Sequence, residues 1–237
     1  MRKLMTGLFA IGLAAAAGAA EEKELGWKNS AGIGLSMTDG NSETLVANAS
    51  AKSEHTAEAG ILTLGIEGNY GEADDEKNVE NAKAMANYKR TYDAFYAYLD
   101  GNVLYDDIAA IDYRATVGPG LGKFLVDTEK TKLGVEAGVA CIFEDVADVT
   151  EDYAALRLAQ NFSRQISETA KVFESVEYLP EIEDFDNYLL NGEVGIEAAI
   201  NSSASIRVSV KDKYDSTPGE GLEENDVSLI AALNFIL

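Results

Sequence analysis

Apolar and polar side chains alternate along almost the whole chain, starting at Trp27. In the first alternating segment, Ile33 and Leu35 are separated by glycine; in the last, Leu233 and Phe235 are separated by asparagine. A repeat of two residues is typical of a β-strand with one apolar and one polar face. The pattern predicts twelve strands, near residues 27–37, 44–52, 62–70, 81–88, 95–105, 111–117, 132–143, 153–162, 168–179, 190–198, 205–211 and 227–237.

The ninth strand has an unclear phase. Val172 and Val176 indicate one orientation of its faces, whereas Phe173 and Leu179 indicate the other. The sequence therefore leaves the register of this strand open.

The spacing of the strands suits an all-β fold, namely a single up-and-down antiparallel transmembrane β-barrel. Residues 21–237, taken as one domain, allow about 18 residues for each strand and its turn, and a barrel strand needs about 9 to 11 to cross the hydrocarbon. No apolar run after residue 20 is long enough for a membrane-spanning helix, which excludes a helical membrane protein. An even number of strands lets both termini lie on one side.

A soluble sandwich or ligand-binding barrel is the alternative, with the apolar face turned inward. Polar and charged side chains in the middle of the strands favour a wet lumen instead, and the chain ends inside a strand that can pair with the first. The many small alanines on the apolar face instead favour the soluble alternative. Aromatic residues near strand ends are typical of membrane interfaces: Trp27, Tyr70, Tyr88, Tyr92, Phe95, Tyr105, Tyr113, Phe143, Phe162, Tyr178, Tyr188 and Tyr214.

Residues 1–20 have the composition of a secretory signal peptide. Arg2 and Lys3 form a basic start, an alanine-rich apolar stretch follows, and small residues allow cleavage after Ala19 or Ala20. A membrane anchor helix is the alternative, but the apolar stretch is short for one. We therefore expect export to the outer membrane of a Gram-negative-type bacterium.

The formal net charge of -22 disfavours nucleic acid as a partner. Over half of the 41 acidic residues lie in five windows, 71–80, 105–112, 144–152, 181–186 and 215–226, that face outward if the N-terminus is periplasmic. We interpret them as a solvated acidic rim, with a divalent-cation layer that bridges to lipopolysaccharide as the alternative. The representative rim residues are Asp74, Asp75, Glu76, Asp145, Asp148, Glu183, Asp184, Glu223 and Glu224.

The polar faces of the strands carry charges that hairpin pairing brings together. Counting outward from each turn predicts four ion pairs in the lumen, and opposite charges across a strand pair stabilise a sheet. We interpret them as structural, with a small water-filled path as the alternative. The predicted pairs are Glu67 with Lys83, Glu136 with Arg157 on a diagonal, Glu193 with Lys211, and Glu197 with Arg207.

No catalytic constellation stands out, so we expect no enzyme activity, no cofactor and no metal site. His55 is the single histidine and lies in a predicted turn, and Cys141 falls on the lipid-facing side of its strand. Glu193 and Glu197 could form a glycosidase pair, but their predicted basic partners argue against it. The glycine-rich segment 118–122 has no helix after it and cannot be a phosphate loop; its glycines are expected to let the barrel wall bend.

Several short motifs resemble those of the salt-induced outer membrane proteins, grouped as domain of unknown function 481. The motifs are Trp27, Gly32, Gly34 and Leu35 followed by residues 38–42, then segments 105–106, 112–114, 118–122, 136–138, 214–218 and 233–235 with Asp226. The resemblance covers essentially all of residues 21–237 and implies an outer-membrane barrel induced by salt or osmotic stress, without an established activity. Lys123 departs from the family pattern, which has an aromatic residue there, and the strong acidity is not a family trait.

We therefore expect a structural or small-pore envelope protein linked to salt stress. The alternatives are a cation-preferring channel and a soluble periplasmic barrel that binds an apolar ligand. The expected partners are outer-membrane lipid, lipopolysaccharide and the barrel-assembly machinery, with divalent cations at the rim. A membrane barrel and a soluble binding barrel differ in the direction of the apolar side chains on the seventh strand. A membrane barrel turns them outward and a binding protein turns them inward; the residues are Leu133, Val135, Val139 and Phe143.

Overall fold

The structure is a computed structural model that describes residues 25–39, 45–73, 76–219 and 221–237. The predicted signal peptide, residues 40–42 of the family motif, Asp74 and Asp75 lie outside the described residues, and so does the side chain of Glu76. The strands are β1 (Gly26–Asp39), β2 (Leu45–Ala57), β3 (Gly60–Ala73), β4 (Glu76–Tyr92), β5 (Phe95–Asp106), β6 (Ile111–Asp127), β7 (Thr131–Val146), β8 (Val149–Gln165), β9 (Ala170–Pro180), β10 (Tyr188–Asn201), β11 (Ala204–Asp215) and β12 (Asn225–Ile236).

The twelve strands form one closed antiparallel barrel in up-and-down order. Each strand pairs with the next, and β12 pairs back with β1 in the register that sets Phe235 opposite Ala31. The predicted fold class and strand number are therefore confirmed. No helix in the described part of the chain is long and apolar enough to span a membrane.

Alternation along each strand separates an apolar outer surface from a polar interior. Leu35 on β1 and Val139 and Phe143 on β7 are each about half exposed on the outside of the barrel. Tyr96, which faces the interior from β5, is buried. The outward direction expected of a membrane barrel thus holds for Val139 and Phe143. Leu133 lies on the same face of β7, but it is only 8% exposed, beside a register shift between β6 and β7.

The unclear phase of β9 has a structural cause. The ring of Phe173 lies in the lumen, where the guanidinium of Arg207 is 4.0 Å from its centroid. Val172 and Val176 consequently face outward. The alternation along β9 is therefore ambiguous because apolar residues lie on both faces, with Phe173 inside the barrel and the two valines outside.

The two ends of the barrel differ in their connections. At the terminal end, where β1 starts and β12 ends, the connections have two to four residues; at the other, the loop end, they have two to nine. Two loops expected there, 71–80 and 144–152, are instead two-residue connections because the flanking strands are longer than predicted. As a result Glu144, expected in a loop, lies on β7 and is 8% exposed.

Candidate functional site: the barrel lumen

The lumen has two sides with different packing. We call the inward face of β5 to β9 the filled side, because large side chains occupy it. We call the inward faces of β1 to β3 and β10 to β12 the open side, because cavities run along it. Strand β4 lies between them, with Lys89 reaching the filled side and Met85 lining a cavity of the open side.

Two tyrosines and a set of glycines build the filled side. Tyr96 and Tyr98 on β5 stand opposite Gly122 and Gly120 on β6. A Cβ on Gly122 would lie 2.2 Å from the Tyr96 ring, and one on Gly120 would lie 2.1 Å from the Tyr98 hydroxyl. Gly120 and Gly122 therefore make room for tyrosine rings. The bending expected of the glycines in segment 118–122 stays a prediction. The matching even-numbered positions across the hairpin were a signal in the sequence that could have revealed this packing.

Pro119 interrupts the hydrogen-bonded ladder beside these glycines. The pairing of β6 with β7 breaks off after Val117 and resumes at Gly120. Proline has no N–H to donate, which accounts for the gap. Position 118 lies in this gap and needs glycine, because a Cβ there would lie 1.9 Å from the carbonyl oxygen of Val139.

Glu136 is the centre of a charged network on the filled side. Its side chain is 2% exposed and accepts hydrogen bonds from Lys89 Nζ at 2.7 Å, Arg157 Nη1 at 2.7 Å and the Tyr96 hydroxyl at 2.9 Å. Arg157 also binds Glu177 through Nε at 2.6 Å. A carboxylate this deeply buried needs such partners, so the network is part of the packing.

Apolar residues close the filled side toward the loop end. Ile142, Leu179 and Leu189 form a buried cluster with Ala140 and Ala155. A second buried ion pair, Arg114 with Glu144, lies in the same region, and Arg114 also binds Asp215 at 2.8 Å. These residues therefore occupy much of the filled side at this level.

Three cavities lie in a row along the lumen, the first two mostly on the open side and the third across both sides, where Asp106, Arg114 and Glu177 also line it. The cavity at the terminal end has a volume of about 560 Å³, the middle one about 300 Å³ and the one at the loop end about 160 Å³. Ser30, Lys52 and Asn234 line both the first and the second cavity. Lys211 lines both the second and the third. Because neighbouring cavities share lining residues, they lie next to one another along the barrel.

Glycines on β1 lie beneath polar side chains that line these cavities. Gly32 and Gly34 face the lumen without side chains, and side chains from the neighbouring strands lean over them. A Cβ on Gly32 would lie 2.6 Å from Asn234 Oδ1 and 2.7 Å from Ser50 Oγ. On its inner face, β1 therefore presents glycine backbone that short polar side chains of the neighbouring strands cover.

The lumen charges that the sequence analysis singled out have the expected cross-strand positions but choose other partners in three cases. Glu67 lies opposite Lys83, Glu193 opposite Lys211, and Glu197 opposite Arg207. The ion pairs instead join Lys211 to Glu67 at 3.2 Å, Arg207 to Glu193 at 2.7 Å and Lys171 to Glu197 at 3.3 Å. Glu136 and Arg157 do form the diagonal pair, at 2.7 Å.

Long side chains explain the difference. Lys211 reaches across the lumen to a strand 144 residues away in sequence, and Arg207 leans along its own hairpin to Glu193. Counting residues outward from a turn identifies only directly opposite positions, so it cannot predict either contact.

The described acidic residues of the predicted rim lie at the loop end. Asp145 accepts a hydrogen bond from Thr150 at 3.1 Å, and Glu224 accepts one from Tyr214 at 2.7 Å. The others lie in three connections: Asp148 between β7 and β8, Glu183 and Asp184 between β9 and β10, and Glu223 between β11 and β12. Binding of cations there stays a prediction.

At the same end, Lys77 pairs with Asp107 at 2.8 Å and also with Glu80. The hydrogen bond from Lys77 holds the pKa of the Asp107 carboxyl below its usual value.

Comparison with known proteins supports the same fold. A family model described as "Protein of unknown function, DUF481" matches residues 31–235. The sequence matches no curated protein at a significant level. Among solved structures, the NanC porin is similar with a TM-score of 0.62 and 9% identity, covering 87% of this chain and 100% of the porin. The KdgM porin in complex with disordered oligogalacturonate has a TM-score of 0.53 and 11% identity, covering 87% of this chain and 98% of the porin.

Proposed function

The chain belongs to the DUF481 family of proteins of unknown function and folds as a closed barrel of twelve antiparallel strands, and from this premise we propose that it is a narrow pore of the bacterial outer membrane. Water and small ions pass along the open side of the lumen. The filled side keeps the barrel rigid and dry.

The outer surface supports a position in a membrane. Leucine, valine and phenylalanine side chains on all sides of the barrel are a third to two thirds exposed, which is costly in water and favourable in lipid. Aromatic residues form belts near both ends. At the loop end Tyr188 stacks on Tyr214 with a centroid distance of 5.5 Å and meets Tyr178 edge-to-face at 5.4 Å. At the terminal end Trp27 packs on His55 at 4.6 Å.

The observation that carries the proposal is the row of three cavities with shared lining residues. A purely structural barrel has no need for a polar path on one side, and the charged network around Glu136 shows that this chain can fill its lumen. Since the first two cavities are instead lined by serine, asparagine and paired charges, we infer that the space is retained for passage.

The narrowest step lies between the middle cavity and the cavity at the loop end. Lys211 lines both, and its ion pair with Glu67 crosses the lumen at that level. We infer that this pair limits the current and keeps the conductance small.

Conductance in planar lipid bilayers tests the proposal. The wild-type barrel, folded in detergent, is expected to give small ohmic steps, and the double variant Glu67→Ser/Lys211→Ser is expected to raise their size about two-fold or more. The matched control is Lys171→Ser/Glu197→Ser, which removes an ion pair of the same kind from the widest cavity and should leave the steps nearly unchanged. A folded wild-type barrel without conductance contradicts the pore and leaves a structural envelope protein.

Cation preference is a second candidate, favoured by the acidic residues in the connections of the loop end. Negative charge at a pore mouth raises the local concentration of cations. Under a salt gradient we expect a reversal potential on the cation side, and replacing Glu183, Asp184, Glu223 and Glu224 with their amides should move it toward zero. An unchanged potential contradicts a role of the rim.

The proposed role in salt or osmotic stress rests on the family resemblance. It is tested by transcript levels and by growth of a deletion strain at high salt. Equal growth and constant expression contradict it.

A further inference from the structure

Two outward-facing cations flank a pair of aromatic rings at the terminal end of the barrel. Tyr92 on β4 stands opposite Phe95 on β5, and Phe95 stands opposite Lys123 on β6. The guanidinium carbon of Arg90 lies 5.4 Å from the centroid of the Tyr92 ring, and Lys123 Nζ lies 5.1 Å from that of Phe95. Both rings are more than half exposed. We call these four side chains the basic patch.

The protein itself does not neutralise the basic patch. Within the described residues, neither Arg90 nor Lys123 forms an ion pair or a hydrogen bond through its side chain. Asp93 lies in the adjoining two-residue turn and pairs with neither. In the terminal-end half of β3 to β7, no described outward position carries a carboxylate. A cation that faces a membrane needs a counter-charge, so the patch favours an anion from outside the chain.

A shallow furrow leads from the basic patch toward the middle of the barrel wall. On the outer face of β4, Ala84 and Ala86 occupy successive outward positions. Ile66 and Leu64 stand opposite them on β3, and Val103 stands opposite Ala84 on β5. These three larger side chains are 40–59% exposed, so they project on both sides of the alanines. The furrow is apolar and follows one strand, which suits a single acyl chain.

Tyr88 lies between the furrow and Arg90 on the outer face of β4. Its hydroxyl donates a hydrogen bond to the carbonyl oxygen of Ala59 at 3.3 Å, and a Cβ on Gly60 would lie 3.0 Å from its ring. The ring therefore leans toward β3. The β5 side of β4 stays uncovered between the furrow and Arg90.

A phospholipid with a net negative charge matches both features. Strands β4 and β6 are two strand spacings, about 10 Å, apart, so the long side chains of Arg90 and Lys123 can reach one phosphodiester. Guanidinium and ammonium groups form charge-assisted hydrogen bonds with phosphate oxygens. A zwitterionic lipid balances its phosphate with its own amine and gains less from the patch. The terminal end has the shorter connections, as does the periplasmic side of outer-membrane barrels, where the leaflet consists of phospholipid.

We propose that the basic patch binds the phosphate of an anionic phospholipid, with phosphatidylglycerol as the test case, and that one acyl chain lies in the furrow of β4. The proposal requires a barrel in lipid but no conductance. A barrel that retains the lipid without conducting contradicts the pore alone, and a conducting barrel without lipid preference contradicts this proposal alone.

Native mass spectrometry of the folded barrel in detergent tests the proposal. The barrel is mixed with equal amounts of phosphatidylglycerol and phosphatidylethanolamine that carry the same acyl chains, and the retained lipids are counted. Phosphatidylglycerol is expected to be retained about ten-fold more, since each cation near an anionic lipid adds a factor of several. Arg90→Gln/Lys123→Gln should lower its retention to that of phosphatidylethanolamine.

The matched control is Lys130→Gln/Arg164→Gln, which removes the same charge at the same end of the barrel. Arg164 faces outward from β8, and neither residue contacts an aromatic ring within the described part of the chain. This variant should keep the preference for phosphatidylglycerol. Ala84→Leu fills the furrow and should lower the retention several-fold, whereas Ala137→Leu, the same change at an exposed outward alanine of β7, should not.

Faster migration in unheated gels checks that each variant is folded. Equal retention of the two phospholipids by the wild-type barrel overturns the proposal. Equal losses in the two charge variants also overturn it, because they show general attraction to the terminal end. Stronger retention of lipid A than of phosphatidylglycerol, or an unchanged retention by Ala84→Leu, is likewise incompatible with it.

Discussion

Strands β1 and β6 both present glycine to the lumen, yet one borders a cavity and the other borders packed rings. On β6, Gly120 and Gly122 stand opposite Tyr98 and Tyr96, whose rings occupy the free space. On β1, Gly32 is flanked by Ser50 and Asn234, whose short polar ends lie over it and line the middle cavity. The same residue type thus supports tight packing or an open path, depending on the size of the side chain across the strand pair.

The charged side chains of the filled side and the open side also differ, in how deeply they are buried. Glu136 is 2% exposed and has three donors, whereas Glu193, on the open side, is 21% exposed and pairs with Arg207. Charges are expected to stabilise the barrel strongly where they are buried and weakly where water reaches them.

The largest expected effect comes from removing the central carboxylate of the filled side. Glu136→Ala leaves the nearly buried Arg157 with Glu177 as its remaining carboxylate and removes the partner of Lys89, and we expect it to lower the free energy of unfolding by about 3 kcal/mol. Glu193→Ala, its counterpart on the open side, should cost about 1 kcal/mol or less. Urea unfolding in lipid vesicles, followed by Trp27 fluorescence, measures both. Equal losses would contradict the difference between the two sides.

A smaller effect is expected from adding one methyl group to each glycine face. Gly122→Ala forces the Tyr96 ring to move and should destabilise the barrel by about 1 to 3 kcal/mol. Gly32→Ala meets the ends of Ser50 and Asn234, which can turn into the neighbouring cavity, and should change stability by less than about 0.5 kcal/mol. The same unfolding measurement applies, and a larger loss for Gly32→Ala would refute the assignment of free space.

The two tyrosines allow a finer test within the filled side. Tyr96→Phe removes a hydrogen bond to Glu136 and should cost about 1 to 2 kcal/mol. Tyr98→Phe removes a buried hydroxyl that has no hydrogen-bond partner among the described residues, so it should cost less than about 0.5 kcal/mol. A double variant that loses much more than the sum would show that the rings act through a shared contact.

The smallest effect is expected at the exposed pair of Lys77 and Asp107. Lys77 keeps the pKa of Asp107 low, so the pair stabilises the barrel above the ordinary carboxyl pKa of about 4 and loses this effect as the pH falls through the lowered value. Lys77→Ala should return the pKa of Asp107 to its usual range, as measured by NMR titration. High salt should act in the same direction because exposed charges are screened, while the Glu136 network should be insensitive to salt.

The predicted features that held were those set by neighbouring strands. The register of the hairpins placed Glu67 opposite Lys83 and Glu193 opposite Lys211 as counted from the turns. The diagonal pair of Glu136 and Arg157 also formed, since both residues belong to one hairpin. Loop lengths were less predictable, because strand ends depend on pairing with both neighbours.

The amino-acid sequence by itself determined the number of strands, the outward direction of most apolar faces and the antiparallel order, because alternation and hairpin register depend on residues close together in the chain. The tertiary structure alone decided that Lys211 binds Glu67 across the lumen and that one side of the barrel is filled and the other open. Closure places β12 beside β1 and so brings β1 to β4 together with β10 to β12 on one side of the lumen. The available space then depends on side-chain volumes far apart in sequence.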